Sequence, residues 1–527
     1  MTTKKRTSGL KLALRTSVVS GMTLISRILG LVRDIVFARY FGASLVMDAF
    51  LVAQRIPNML RRFFAEGAFS AGFIPVMSRY REKHDHAEAR EFVDAAAGTF
   101  GIVLFLVTLL GVIASPLLVL IVAPGFVGDG GDFDLAALML RFTFPYLLFV
   151  SLTAFAGGIL NTYGRFGAPA FTPVILNVVL IVAAVWVSPM LEQPVMALAY
   201  AIFVAGVCQL LFQLPFLARI HAFPRPIWAP RHEGVRRAFR LMVPAIFGSS
   251  VAQINVLLGG IIASLLPVGS ISFLYFSDRL MEFPLGLFGI ALATVMLPTL
   301  SRLWASEDKT EFSQTLDWSM RVTMLIVLPA AAGLIVLSGP LIATLFYGGI
   351  FDEHSVDMTT LALRAYAMGL VGFSFVKILA PAFFAREDTR TPVRVGLIAL
   401  AVNLLLSIAS AWYLTAVEFA GPHVGLAAAT SVAAILNAAL LYRGLRKDGV
   451  MHHSSGWLSL IARAVIANVA MCVVLIQLYR PLEWWFAVGT LDRVYWLGVS
   501  VVAGAAAYFL VLIVLGMRPS QFRLRAS

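Results

Sequence analysis

Apolar stretches of about 20 residues recur along the chain, separated by short polar loops. We read fourteen, near 17–40, 46–78, 95–122, 135–160, 169–189, 195–218, 241–265, 270–300, 320–338, 358–384, 393–415, 424–442, 460–479 and 494–516. The pattern predicts an all-α polytopic membrane protein with fourteen transmembrane helices. Alternate loops differ in charge. The N-terminus, 79–90, Arg165, 219–240, 302–309, 386–394, 443–447 and the tail 518–525 hold Lys and Arg. Loops 41–46, 123–134, 190–194, 266–269, 339–357 and 416–423 hold none, and only the last loop on that side, with Arg480 and Arg493, departs from the rule. By the positive-inside rule both termini are expected in the cytoplasm. The basic N-terminus lacks a short apolar core ending in small residues, so the first span is expected to be retained.

The chain also repeats itself. Pro75-x-x-Ser78-Arg79 recurs as Pro298-x-x-Ser301-Arg302, an offset of 223 residues (298 minus 75). Leu138-x-Leu140-Arg141 recurs as Leu361-x-Leu363-Arg364, and Pro169 as Pro392, at the same offset. Each pairing joins a span to the sixth span after it. Six is even, so the halves share one orientation and form a parallel repeat. Two six-helix lobes are expected, 1–225 and 226–450, followed by 451–527 with spans 13 and 14 and a tail. Transporter substrate sites lie between such repeats.

Several spans carry charges where lipid should be. Span 1 holds Arg27, Arg33, Asp34 and Arg39; span 2 holds Asp48, Arg55, Arg61, Arg62 and Glu66. At about 100° per residue, Asp48, Arg55, Arg62 and Glu66 fall within roughly 40° of one another, one polar stripe along the helix. Pro57 should kink that helix. Span 8 repeats the theme with Asp278-Arg279-x-x-Glu282-x-Pro284. A charge at membrane depth costs about 2.5–3.5 kcal/mol on insertion scales, so such groups face a cavity or a partner. The expected site is a wet cavity lined by spans 1, 2 and 8. There Arg27, Arg33, Arg61, Arg62 and Arg279 present forked donors to an anion, and Asp34, Asp48, Glu66, Asp278 and Glu282 hold them. The bland alternative is that some of these charges pair only to make burial tolerable, while Arg39 and Arg79 snorkel. Lys377 reads as an interhelical partner ahead of a cavity cation, and Arg141 and Arg364 as caps or fold elements.

Composition agrees with the pattern. The chain is 60% hydrophobic and 13% charged, with mean hydropathy +0.87, against about 25% charged in soluble domains. A net charge of +13 is assigned to loops against an anionic inner leaflet rather than to nucleic acid. Cys208 and Cys472 lie in apolar stretches and imply no disulfide or metal. The sequence Asp129-Gly-Gly-Asp132-x-Asp134 lacks the distal Glu of a calcium loop. The histidines show no metal spacing, and no nucleotide fingerprint or hydrolase elbow is present.

The blocks Ser26-Arg27-Ile-Leu-Gly30-Leu-Val-Arg33-Asp34, Asp48-Ala-Phe50, Pro57-Asn58-x-Leu60-Arg61-Arg62, Phe64-Ala-Glu66-Gly67-Ala-Phe69 and Asp278-Arg279-Leu-Met-Glu282-Phe-Pro284 closely resemble the MurJ (MviN) family. Its members are bacterial lipid II flippases of the multidrug/oligosaccharidyl-lipid/polysaccharide (MOP) exporter superfamily. The resemblance runs along essentially the whole chain. It implies fourteen helices in two lobes, residence in the bacterial cytoplasmic membrane and transport rather than catalysis. It also implies movement of undecaprenyl-diphosphate-linked disaccharide-pentapeptide from the inner to the outer leaflet by alternating access. Carried over by motif, the cavity arginines are Arg27, Arg33, Arg61 and Arg279, with Asp34, Asp48, Glu66, Asp278 and Glu282 beside them. Spans 13 and 14 then form a groove for the polyprenyl tail. Some relatives are linked to sodium in the second lobe, where this chain offers no acid inside a span beyond Asp278 and Glu282. No cofactor is expected, the drive being membrane potential or an ion gradient. Expected partners are lipid II, membrane lipids and cell-wall synthesis proteins, with no nucleic acid. The rivals are a flippase for another polyprenyl-diphosphate glycan, a multidrug antiporter, a non-transporting cell-wall scaffold and an enzyme on the lipid. A surplus of buried arginine disfavours the antiporter, a scaffold has no need of those arginines, and no nucleophile or metal set supports the enzyme.

Overall fold

The computed structural model describes residues 2–62, 69–83, 85–128, 132–286, 290–452 and 455–517. Among them the chain is helical, with no strand beyond an isolated bridge between Gly348 and Phe351. Nine described helices are long and apolar enough to cross a membrane, ten when a pair bent by 41° counts as one span. This is an integral membrane protein. Those ten coincide with expected spans 3 to 6 and 9 to 14. The four outside the set include spans 1, 2 and 8, the three that carry the charged cluster.

The chain divides into two compact units, Met1–Val268 and Gly269–Ser527. The first holds α1 (Thr2–Phe41), α2 (Leu45–Arg61), α3 (Phe69–Lys83), α4 (His86–Ile113), α5 (Ser115–Val122), α6 (Phe133–Thr143), α7 (Tyr146–Thr162), α8 (Gly167–Val182), α9 (Met196–Arg219) and α10 (Glu233–Ser264). The second holds α11 (Ser270–Pro284), α12 (Ile290–Ala305), α13 (Lys309–Leu345), α14 (Glu353–Met368), α15 (Leu370–Phe384), α16 (Arg390–Ala416), α17 (Val424–Lys447), α18 (Trp457–Leu478), α19 (Leu482–Ala487) and α20 (Thr490–Val514).

Several expected spans are helix pairs. Span 4 comprises α6 and α7, and span 10 comprises α14 and α15; in spans 2 and 8 the described parts are α2 with α3 and α11 with α12, on either side of a stretch outside the described residues. Pro145 sits at the α6–α7 break, where its missing N–H ends the ladder. At the α14–α15 break Gly369 lies against Ser431, whose hydroxyl donates to the Ala365 carbonyl at 2.7 Å. Packing repeats as well. α2 packs on α6 and α7 on α9 in the first unit; α11 packs on α14 and α15 on α17 in the second.

One helix breaks the correspondence. α10 corresponds by repeat to α1, yet it packs on α3, α4 and α5 within the first unit. Gly72 permits the approach, because a Cβ there would meet the Met242 side chain and the Ala238 carbonyl of α10. The compact units thus part at Val268, whereas the sequence repeat parts near residue 225.

Prolines inside spans find their compensation in neighbours. Pro57 has no N–H to give the carbonyl of Ala53, four residues back. The buried hydroxyl of Thr143 in α6 donates to that carbonyl instead, at 3.1 Å. Pro329 leaves the carbonyl of Leu325 in the same position, and Tyr508 of α20 donates to it at 2.9 Å. The second bond helps attach α20 to α13. Around it Leu460, Ala464, Met471 and Leu512 bury their side chains against Leu325 and Leu337.

Candidate functional site

α1 runs along α8, and there the first unit places an enclosed cation. Arg33 donates from Nε and Nη2 to Oδ1 of Asp34 at 3.0 and 2.7 Å. Its Nη1 donates to Oδ1 of Asn177 on α8 at 3.1 Å. Asn177 is fixed in turn, because its Nδ2 donates to the Ser26 carbonyl at 3.0 Å. The guanidinium also lies 5.6 Å from the Phe37 ring centroid. The Arg33 and Asp34 side chains are only 11% and 4% exposed. A buried pair of this kind is tolerable because its hydrogen bonds are satisfied locally. Arg27, earlier on α1, is exposed.

The expected stripe on α2 grades from buried to exposed. Asp48, in the first turn, is buried; Arg55 is half-buried; Arg62, at the C-terminal cap, is exposed. Arg61 donates from Nε to Oδ1 of Asn58 at 2.9 Å, a contact within its own helix. Glu66 lies outside the described residues. The guanidinium of Arg55 rests against Gly260 of α10, where any Cβ would occupy its place.

In the second unit, α11 carries the remaining three. Arg279 pairs with Glu282 at 3.1 Å, one helical turn on, with its guanidinium 5.1 Å from the Tyr275 ring centroid. These side chains are 36% and 49% exposed. Asp278 is half-buried. The pairs Arg33–Asp34 and Arg279–Glu282 thus each lie within a single helix, α1 and α11. Asn177 and Gly260 are the contributors that pattern reading passed over. A lone Asn in an apolar span was the available signal for the first; nothing local marks the second.

Elsewhere, Lys377 is half-buried on α15. Arg364 donates to the Ser338 hydroxyl at 2.9 Å, whereas Arg141 is exposed. Asp132 caps α6 through the Leu135 N–H, an ordinary end-of-helix role. Among the described residues no three His, Cys, Asp or Glu side chains gather as metal ligands. The arrangement offers guanidinium N–H groups on α1, α2 and α11. Their planar forks suit phosphate oxygens.

This helical membrane protein has a transporter fold, which solved structures share. The fold matches an inward-facing multidrug resistance MATE transporter of the MOP superfamily at TM-score 0.66, with 15% identity over 82% of this chain and 98% of the other. It matches a lipid II flippase MurJ in an inward closed conformation at TM-score 0.77, with 25% identity over 94% and 98% of the two chains. The family model "Lipid II flippase MurJ" matches residues 37–491. The "Probable lipid II flippase MurJ" of Vibrio cholerae is 44% identical over 508 residues, 95% of each chain. The "Lipid II flippase MurJ" of Burkholderia cenocepacia is 43% identical over 514 residues, 97% of this chain and 98% of the other. This chain belongs to the lipid II flippase MurJ family.

Proposed function

We propose that this protein moves lipid II from the inner to the outer leaflet by alternating access, with the diphosphate held by arginines of α1, α2 and α11. The observation that carries the reading is Arg33, fixed by Asp34 and Asn177 inside a membrane helix. A buried guanidinium beside an acid is a costly feature that an anionic substrate explains. Arg279 plays the complementary part: more exposed, and paired with Glu282 beside the Tyr275 face. The sugar-peptide headgroup, too polar for hydrocarbon, travels through a wet path while the polyprenyl tail stays in lipid. Moving negative charge out of a cell that is negative inside gains about 2.3 kcal/mol per charge per 100 mV. Membrane potential is therefore a sufficient drive in kind, without a cofactor.

The test is genetic and topological. With Arg33→Ala or Arg279→Ala as the sole copy, lipid II should accumulate at the inner leaflet while the protein remains membrane-inserted. Normal growth and normal outer-leaflet delivery in both variants would remove the arginine grip. Cells that grow normally without any copy would remove the flippase reading altogether.

A further inference from the structure

The internal repeat allows one half of the chain to be read against the other. At the offset of 223 residues, Arg81 on α3 corresponds to Trp304 on α12 (304 minus 81), and Tyr163 to Arg386 (386 minus 163). By residue type neither equivalence is visible. Within each unit, however, the two positions meet, where α3 packs on α7 and α12 on α15. The Arg81 guanidinium lies 4.7 Å from the Tyr163 ring centroid and donates through Nη1 to the carbonyl of Thr162, the last residue of α7. Arg386, just beyond α15, lies 5.3 Å from the Trp304 ring centroid. Both separations are within the reach of about 6 Å for a cation over an aromatic face. The cation and the ring have traded places.

That exchange argues that both units retain the contact rather than either residue. A cation kept only to snorkel would recur at its own position, and so would a ring kept only to fill space. Each contact is also braced. Tyr163 packs against the buried cluster that holds Phe69, Phe73 and Phe155. The bond from Arg81 places a cation at the C-terminus of α7, where the free carbonyls favour one. Arg386 lies 5.7 Å from the Phe383 ring centroid as well, and its Nη2 donates to Oδ2 of Asp448, the C-cap of α17, at 2.9 Å. Trp304 meets Phe312 edge-on at 5.8 Å. All four positions adjoin loops of the Lys/Arg-rich set, 79–90, Arg165, 302–309 and 386–394. The two contacts therefore occupy the same end of their respective lobes.

α3 and α12 are the later parts of spans 2 and 8, whose earlier parts, α2 and α11, carry the candidate arginines. Transport by rocking needs each lobe to move as one body. We propose that Arg81–Tyr163 and Arg386–Trp304 are matched latches, which tie the ends of spans 2 and 8 to spans 4 and 10 so that each arginine-bearing span travels with its own lobe. The four side chains are positioning residues and not ligands. Their part in translocation rests on the transport reading above, whereas the latch itself is measurable without it.

The full-length protein, with Cys208 and Cys472 replaced by alanine, would carry spin labels at Glu82 and Arg165, exposed positions beside the first contact. Dipolar EPR in lipid vesicles should give one narrow separation. Arg81→Gln should broaden it, and the exchange Arg81→Trp with Tyr163→Arg, which copies the second unit's arrangement, should narrow it again. Lipid II translocation by the unlabelled protein should fall several-fold in Arg81→Gln at an unchanged unfolding temperature, and largely recover in the exchange variant. Trp304→Leu should slow translocation likewise. A residue serving stability alone would move the unfolding temperature together with the rate, and that result would overturn the proposal. So would a wild-type rate in Arg81→Gln, or an exchange variant as broad and as slow as Arg81→Gln. If wild type moves no lipid II while the EPR pattern holds, the transport reading falls and the latch is upheld.

Discussion

Two arginine–acid pairs, Arg33–Asp34 in the first unit and Arg279–Glu282 in the second, are built on opposite principles. Arg33–Asp34 is enclosed and braced across helices by Asn177, with side chains 11% and 4% exposed. Arg279–Glu282 is a one-turn pair on α11, 36% and 49% exposed, supported by an aromatic face. The first is part of the packing of α1 on α8; removing a member leaves a buried charge. The second can exchange its acid for another anion at little cost to the fold. A carrier that must bind and then release benefits from one fixed reference and one adaptable partner, which is the reading we favour for the transport cycle.

The contrast breaks most visibly at Asp34. Asp34→Ala strands the Arg33 guanidinium in a closed environment, a change that costs about 3–5 kcal/mol for buried pairs. Thermal unfolding of the purified protein should register that loss. If the variant unfolds like wild type, the pair is not a packing element and the distinction between the units fails.

Burial rather than position in the repeat should decide such effects, and His423 tests that inside the second unit. It sits at the start of α17, in the loop after α16, with Nε2 donating to the Met358 carbonyl at 3.0 Å and its ring 5.1 Å from that of Phe273. Burial lowers its pKa from 6.5 to about 4, with His354 adding to the effect. The fold holds the neutral ring, while the unfolded chain takes up a proton below about 6.5. Stability is thus complete above that pH and is lost as pH falls towards 4, by about 3 kcal/mol in all. Unfolding temperature measured from pH 7 to 4 should show this slope, and His423→Gln should flatten it. A wild-type slope indistinguishable from that of the variant would show that His423 is not held neutral.

Much of this was legible in the residues, and the exceptions share one cause. Length and hydropathy located the apolar spans, because both depend on local chemistry. Arg480 and Arg493 spoiled the charge alternation for a reason no local pattern carries. Arg493 is buried, donating to the carbonyls of Ala343 at the end of α13 and Phe486 at 3.4 and 3.2 Å. Arg480 lies 4.4 and 4.0 Å from the Trp484 and Trp496 ring centroids. Both charges are used in packing rather than offered to a leaflet. Asn177 was visible as a lone polar residue, but its partner on α1 is 144 residues away. The placement of α10 rests on Gly72 likewise: a missing side chain matters only once the neighbour is known. For the candidate site, residue types and the α2 stripe were readable; which acid closes on which arginine was not.

The smallest effect on stability should come from α11, and it isolates function from fold. An exposed one-turn ion pair contributes about 0–1 kcal/mol, so Glu282→Gln should leave the unfolding temperature nearly unchanged. Arg279→Lys is the sharper variant. It keeps the charge, so long-range attraction of an anion persists. It removes the planar fork and weakens the stacking on Tyr275, the two properties that make arginine suited to a diphosphate. A loss of about tenfold in lipid II translocation, equivalent to about 1.4 kcal/mol in the rate-limiting step, with an unaltered melting curve, is the expected outcome in reconstituted vesicles. If lysine instead lowers stability as Asp34→Ala does, Arg279 is a packing residue like Arg33, and the second unit has no adaptable cation to offer a substrate.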